Sequence, residues 1–335
     1  KNINMDKLFF SLIFIFLFTL VGTKYLKNFL EKKKFFDIPN ERSSHLKPVP
    51  TGGGWIINLC IVGIIFFLDP YDKIPAIITI LGLAFVSWKN DIKNLNIGIR
   101  LLFQIFFISI YFVYLYNFGF YEQTQLVHII FIILICTWFI NIFNFMDGID
   151  GISAIMTVTI CIGIIIAYLV NNSEYFPSFE ILIISTCSAF LYWNWKPSKI
   201  FLGDVGSIVL GFVCALSLYW LFLDGNTWHW VLSLPMYYIL DTSLTLIRRL
   251  IEGKKIWEAH REHYYQKAVQ SGITHSKVVL SIIILQMLII LTCYFIKNPY
   301  LVVFLAFFEN VQKSIFIFNH DIYFLAINVS PAIVI

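Results

Sequence analysis

Charge is what this sequence has least of. Only 13% of its 335 residues are Asp, Glu, Lys or Arg, against 59% hydrophobic, and the mean hydropathy is +0.79. Soluble domains are about one quarter charged, so a water-soluble globular chain is excluded. Cysteine is scarce and scattered. Cys60, Cys136, Cys161, Cys187, Cys214 and Cys293 all fall inside apolar runs, with neither zinc-ligand nor redox-pair spacing, and read as small buried hydrophobes. No Pro-, Ser- or Gly-rich linker and no internal repeat divides the chain, so a single domain over residues 1–335 is expected. The run "LFFSLIFIFLFTLVG" lacks a small-residue cleavage site and is followed by lysines. It reads as a retained first membrane helix, not a removed signal.

What the chain has is a series of apolar runs. They predict spans at 8–21, 54–68, 75–88, 101–116, 126–140, 152–170, 181–193, 205–222, 228–247, 278–296 and near 300–308. The fold class is therefore all-α: a polytopic transmembrane bundle of about ten or eleven helices. The apolar stretch 315–334 is either a further helix or an atypical tail, which leaves the topology of 306–335 open.

The cations are placed unevenly. Loops 24–47, 89–100, 194–204 and 248–277 hold seven, three, two and seven Lys and Arg; the opposite loops hold only Lys1, Lys7, Lys73 and Lys297. Such a bias puts the first set in the cytoplasm, with the N-terminus outside. The polar, chemically suggestive stretches "FFDIPNERSSHLKPVPTGGG", "KNDIKNLNIGIR", "NFMDGIDG", "FLGDVGS" and "EAHREHYYQ" all fall on that side. The outer loops "LDPYDKI" and "NNSEYF" read as plain connectors. One-sided clustering fits an interfacial active site. A transporter or flippase, the rival reading, places polar groups near the middle of several spans.

In "NIFNFMDGIDG", Asp147 and Asp150 are three apart, a spacing that shares one helix face. Asn141 and Asn144 add amides to nearly the same side. Helix capping explains one such acid; two acids, two amides and two glycines in eleven residues point to a site. Asp204, between Gly203 and Gly206, reads either as an N-cap or as a metal carboxylate. Asp91 opens a third segment on that face. Several carboxylates there suit Mg²⁺, which takes one or two protein carboxylates and leaves its other positions to water and phosphate. In the longest basic loop, Arg261 with His260 and His263 fits an anion clamp better than a zinc site. Arg248, Arg249, Lys254 and Lys255 fit attraction to anionic lipid. The first loop offers Arg42, Ser43, Ser44 and His45 as phosphate contacts.

Together these segments give a resemblance. "DIPNERSSHLKPVPTGGG", "NIFNFMDGIDGISA", "FLGDVGSIVLGF", "DTSLTLIRRL" and "AHREHYYQ", in this order over 36–277, resemble the polyprenyl-phosphate N-acetylhexosamine-1-phosphate transferases. That family includes the lipid I synthase of peptidoglycan assembly, and the segments look most like its O-antigen and enterobacterial-common-antigen initiating members. The resemblance implies a Mg²⁺-dependent enzyme of the inner membrane, with Mn²⁺ as a possible substitute. Its partners would be undecaprenyl phosphate, a UDP-N-acetyl sugar and the bilayer, with no nucleic acid and a homodimer left open. It implies Asp204 and Asp147 for the metal, and Asp91, Asp147 and Asp150 for catalysis. Asn144, Arg42, Ser44, His45, His260, Arg261 and His263 would hold substrate. The HR-x-H form looks like the branch that handles 6-deoxy donors. One departure stands out: the family's paired acids read Asn90–Asp91 here, so a catalytically impaired member is the other alternative.

Overall fold

The structure is a computed structural model and describes residues 5–39, 47–68, 70, 72–118, 126–258 and 260–311. Helix α1 (Met5–Lys32) leads into a short antiparallel ribbon of β1 (Phe36–Asp37) and β2 (Val49–Pro50), with Phe36 opposite Pro50. Then follow α2 (Gly54–Leu68), α3 (Lys73–Lys93), α4 (Ile97–Asn117), α5 (Leu126–Phe145), α6 (Ile152–Val170), α7 (Ser178–Asn194) and α8 (Asp204–Leu223). The last part comprises α9 (Trp228–Ser233), α10 (Met236–Ile251), α11 (Tyr264–Gln270), α12 (His275–Phe295) and α13 (Pro299–Val311).

Six of these helices, α1, α4, α5, α6, α8 and α12, are long and apolar enough to cross a membrane. This is a multi-pass membrane protein. The other bundle helices are shorter or carry charges near their ends; α3, for example, keeps its apolar middle but holds Lys89, Asp91 and Lys93 in its final turns. The ribbon is a local departure from the expected all-helical chain.

Helix α8 is the hub, packed against α2, α3, α5 and α6. It carries no charge after Asp204, and its small residues let neighbours approach closely. The tightest approach is to α2: a Cβ on Gly54 would overlap the backbone of Gly206. This contact fixes the N-terminal end of α8 against the loop that follows β2. There Gly53 and Gly54 donate to Phe201 and Leu202 carbonyls at 2.8 and 2.9 Å. At the outside of the bundle, α1 turns Phe9, Phe10, Phe14 and Leu17 outward, as a lipid-facing helix does.

The expected single span 228–247 is broken into α9 and α10. Pro235 lies at the break, and its lack of an N–H removes the ladder bond a continuous helix needs. The break angles α10 separately and places its buried Asp241 below α11.

Candidate active site

Five segments meet at the end of the bundle that carries most of the lysines and arginines. The last turns of α3 and α5 bring Asn90, Asp91 and Asn144. The first turns of α4 and α8 bring Arg100, Asp204 and Ser207. The α5–α6 turn brings Asp147.

Asp204 is held at both oxygens. The Asn90 amide donates to Oδ2 at 2.6 Å and the Asn144 amide to Oδ1 at 2.7 Å. Asn144 also donates to Ser207 Oγ at 2.9 Å, and Arg100 Nη1 stands 3.7 Å from Asp204 Oδ2. Asn90 is itself fixed, because its Oδ1 accepts from Leu95 N at 2.9 Å. An acid at 90 would set a second negative charge on Asp204. The asparagine instead holds that carboxylate by an uncharged bond, so Asn90 is an integral part of this site's wiring. Asn141, expected beside it, points into the bundle and donates to Gln104 Oε1 at 2.8 Å.

Asp91 faces the start of α8. Its Oδ1 and Oδ2 accept from the backbone N–H groups of Asp204 and Val205 at 3.0 and 3.2 Å. It caps the N-terminus of α8 across the helix interface, where a carboxylate complements the unpaired donors and the dipole. Asp91 is thus a positioning residue for Asp204.

Asp147 and Asp150 do not share a helix face. Helix α5 ends at Phe145 and α6 begins at Ile152, and Gly151 takes φ +81°, so the two acids lie on a turn that sends them apart. Asp147 is partly buried. Burial first, then the neighbouring Asp204 and Asp150 carboxylates, push its pKa up to about 8. Asp150 is buried against the other wall of the turn. Its Oδ2 accepts from Ser198 N at 3.3 Å and lies 3.8 Å from Lys196 Nζ and 3.4 Å from His275 Nδ1. It anchors the α7–α8 connection and the start of α12 and does not reach toward Asp204.

The histidine loop is organised around a buried acid. His263 is only 2% exposed, and its Nδ1 lies 3.0 Å from Asp241 Oδ1. The same Asp241 accepts from the backbone of Tyr264 and Tyr265 at 3.1 and 3.2 Å. One buried carboxylate thus caps α11 and fixes its leading histidine through Nδ1. Glu262 is gripped by Arg249, and Arg248 Nη2 donates to its carbonyl at 2.8 Å. These arginines brace the loop. Arg261 is exposed and remains the loop's free-standing candidate for a phosphate. His260 stacks on His263 with ring centroids 5.0 Å apart. The other candidates, Arg42, Ser44 and His45, lie outside the described residues.

Burial, with His263 and Arg249 adding to it, lowers the His260 pKa from 6.5 to about 4. A histidine whose folded value is depressed binds its proton in the unfolded chain first. Stability linked to it is therefore present above about 6.5 and lost as pH falls toward about 4. Thermal unfolding of wild type and His260→Gln across pH 4–7 checks this: the variant is expected to lose less stability on the acid side.

Two loops meet through a glycine. Tyr265 donates to the Phe145 carbonyl at 3.0 Å, and a Cβ on Gly148 would overlap the Tyr265 hydroxyl. Gly148→Ala is expected to cost about 1–3 kcal/mol, the range for overpacking. Adding Tyr265→Phe, which removes the overlapped oxygen, is expected to recover part of it. Unfolding midpoints of the single and double variants measure the exchange.

The fold and these contacts define a multi-pass helical membrane protein with an acid–amide site at one end of its bundle. Residues 74–222 match the sequence model of glycosyl transferase family 4. The chain is 32% identical over 232 residues to the phospho-N-acetylmuramoyl-pentapeptide-transferase of Dictyoglomus turgidum, covering 63% of this chain and 73% of that one. It is 24% identical over 320 residues to a probable undecaprenyl-phosphate N-acetylglucosaminyl 1-phosphate transferase of Bacillus subtilis, covering 88% and 86%. An undecaprenyl-phosphate alpha-N-acetylglucosaminyl 1-phosphate transferase of Thermotoga maritima is 27% identical over 258 residues, covering 74% and 78%. The chain belongs to glycosyl transferase family 4, within its polyprenyl-phosphate hexosamine-1-phosphate transferases.

Sequence reading missed Arg100, Ser207, Lys196 and His275, and it missed Asp241 as the organiser of the histidine loop. A usable signal existed for Asp241: an acid in an apolar helix is costly and marks a buried partner.

Proposed function

We propose that this protein transfers an N-acetylhexosamine 1-phosphate, or a 6-deoxy variant, from a UDP-sugar to undecaprenyl phosphate. The products are undecaprenyl-diphospho-sugar and UMP, the opening step of a cell-surface polysaccharide. An oxygen of the lipid phosphate forms a bond to the sugar-linked β-phosphorus. The bond from that phosphorus to the oxygen bridging it to the α-phosphate breaks, and UMP departs with the electron pair.

The observation that carries the reading is Asp204, held by two amides at the first turn of the hub helix. In sequence it falls in the set of loops to which nineteen of the 24 lysines and arginines belong. The lipid's phosphate and the soluble nucleotide meet at a membrane surface, so their chemistry belongs at a span's end. The charge bias supports the cytoplasmic face of the inner membrane. Every group in the site comes from one chain, so the proposal does not depend on a homodimer.

The residues suit Mg²⁺. The Asp204 carboxylate adds to the cost of ionising Asp147, a repulsion that a bound cation relieves. Among the described residues no three acids, histidines or cysteines converge, so these residues offer at most two carboxylates. Mg²⁺ is commonly held this way, with phosphate and water filling the remainder; Mn²⁺ takes the same oxygen donors. Asp204 and Asp147 would hold the ion, which would neutralise charge on the diphosphate. Asn144 and Asn90 orient Asp204, Asp91 fixes the end of its helix, and exposed Arg261 is placed to meet an outer phosphate.

The impaired-member alternative is weakened because Asn90 has a defined partner on each side. The transporter alternative is weakened because the acids and amides gathered around Asp204 lie at the end of the hub helix, not midway along it. The experiment is UMP release by purified full-length protein from UDP-N-acetylglucosamine and UDP-6-deoxy-N-acetylhexosamines, with and without undecaprenyl phosphate and Mg²⁺. Release needing both lipid and ion supports the proposal. A folded protein that releases none from any donor, or releases it without the lipid, overturns it.

A further inference from the structure

The loops expected to be plain connectors at the opposite end of the bundle enclose a cavity of about 590 Å³. It lies between the ends of α2, α6 and α8 and the starts of α3 and α7. Along α8 its Trp220 is sixteen residues from Asp204, about 24 Å at the helical rise, so this is not part of the transferase site.

Four carboxylates line it: Asp72, Glu174, Glu180 and Asp224. None of the described lining residues is Lys, Arg or His, and Lys73, the cation next in sequence to Asp72, is outside the lining. Glu180 is 2% exposed. The Tyr175 hydroxyl donates to it at a long 3.4 Å. The buried Ser217 hydroxyl stands beside Glu180 as a weak second partner. Hydroxyls and a backbone N–H, with no cation among the described lining residues, compensate this buried carboxylate only in part, which is costly. The other walls are aromatic: Tyr168 and Tyr175, with ring centroids 4.9 Å apart, plus Phe179 and Trp220. The rim is fixed by two bonds. Tyr111 donates to Asp72 while receiving the Trp220 N–H at 3.2 Å, and Ser173 donates to Asp224 at 2.8 Å.

Acids and π-faces without cations select a positive guest. The volume falls within the 300–1,000 Å³ of small-molecule sites, far larger than a bare metal ion needs, and no metal-type cluster occurs among the described residues. We propose that this outer-end cavity binds an organic ammonium, its nitrogen directed at Glu180 and its carbons against Tyr168, Tyr175 and Trp220. Two sources carry that chemistry: the headgroup of an ethanolamine lipid, and a free amine.

The test uses purified full-length protein. Native mass spectrometry compares retention of phosphatidylethanolamine with that of phosphatidylglycerol, and spermidine is titrated against the thermal unfolding midpoint. Wild type, Glu180→Gln and Asp224→Asn are compared; the exposed rim residue Asp224 guards against a Glu180 variant that folds poorly. Retention of the ethanolamine lipid at least about tenfold over phosphatidylglycerol, lost in Asp224→Asn, supports the site with lipid as its source. A spermidine-dependent rise in midpoint, lost in the same variant, supports it with a free amine as its source. If neither ligand distinguishes wild type from Asp224→Asn, the proposal is overturned. UMP release by Asp224→Asn is expected to match wild type, which separates this outcome from failure of the transferase reading.

Discussion

Asp204→Asn is expected to stop turnover and leave the protein folded. The carboxylate accepts from Asn90 at one oxygen and Asn144 at the other. An amide in its place can keep one of these bonds, while its NH₂ faces the other donor. Losing one such bond costs about 1–2 kcal/mol, too little to unfold a bundle whose hub helix is buried along most of its length. Catalysis loses much more, because the negative charge that would hold a cation near the diphosphate has gone. Removing a preorganised electrostatic group typically costs about 10²–10³-fold in rate, and loss of the ion itself adds to that. UMP release should fall by on the order of 10³-fold or more. Trp228→Phe, whose ring packs on Tyr300 with centroids 5.3 Å apart beyond the end of α8 opposite Asp204, should leave the rate unchanged. Equal activity in Asp204→Asn and wild type would remove the metal assignment.

The second large effect is expected at Asp241. Its side chain is 1% exposed and accepts from His263, Tyr264 N and Tyr265 N. Asp241→Ala strands all three donors in a buried place. Each buried donor left unpaired costs about 1–3 kcal/mol, so α11 should detach from α10. The Tyr265–Phe145 bond would go with it, and with that the wall behind Gly148. UMP release should fall by about 100-fold or more, since misplacement of about 1 Å can cost that much. Asp241→Asn retains one acceptor and should lie between. Limited proteolysis in 252–272 together with the UMP rate checks the ranking Asp, Asn, Ala; an alanine variant with a protected loop and normal rate would contradict it.

How much could be read beforehand varied with the kind of signal. The bounds of α2 and α6 match the apolar runs 54–68 and 152–170, because glycine turns and polar residues frame both. Span 228–247 failed because apolar content does not register a proline break. Helix α11 went unseen because "YYQKAVQ" is short and polar, and its cap comes from Asp241, over twenty residues away. Asp204 and Asn144 were legible since acids and amides are expensive beside hydrocarbon. The pairing of Asp147 with Asp150 was misread because spacing of three implies a shared face only where the helix continues, and Gly151 at positive φ forbids that. The division of labour between Asp91 and Asp204 depends on which backbone each carboxylate meets, which no single sequence window contains.

The packing of Tyr265 over Gly148 bears on biogenesis. The turn holding Asp147 leaves the ribosome early, yet the tyrosine that closes over it arrives more than a hundred residues later, after α6 through α10 have been inserted. A nascent chain halted before α11 would carry every acid of the site without its lid of aromatic packing. Maturation of the catalytic end is thus tied to late insertion, so shortened translation products should be inert although they contain the site's carboxylates.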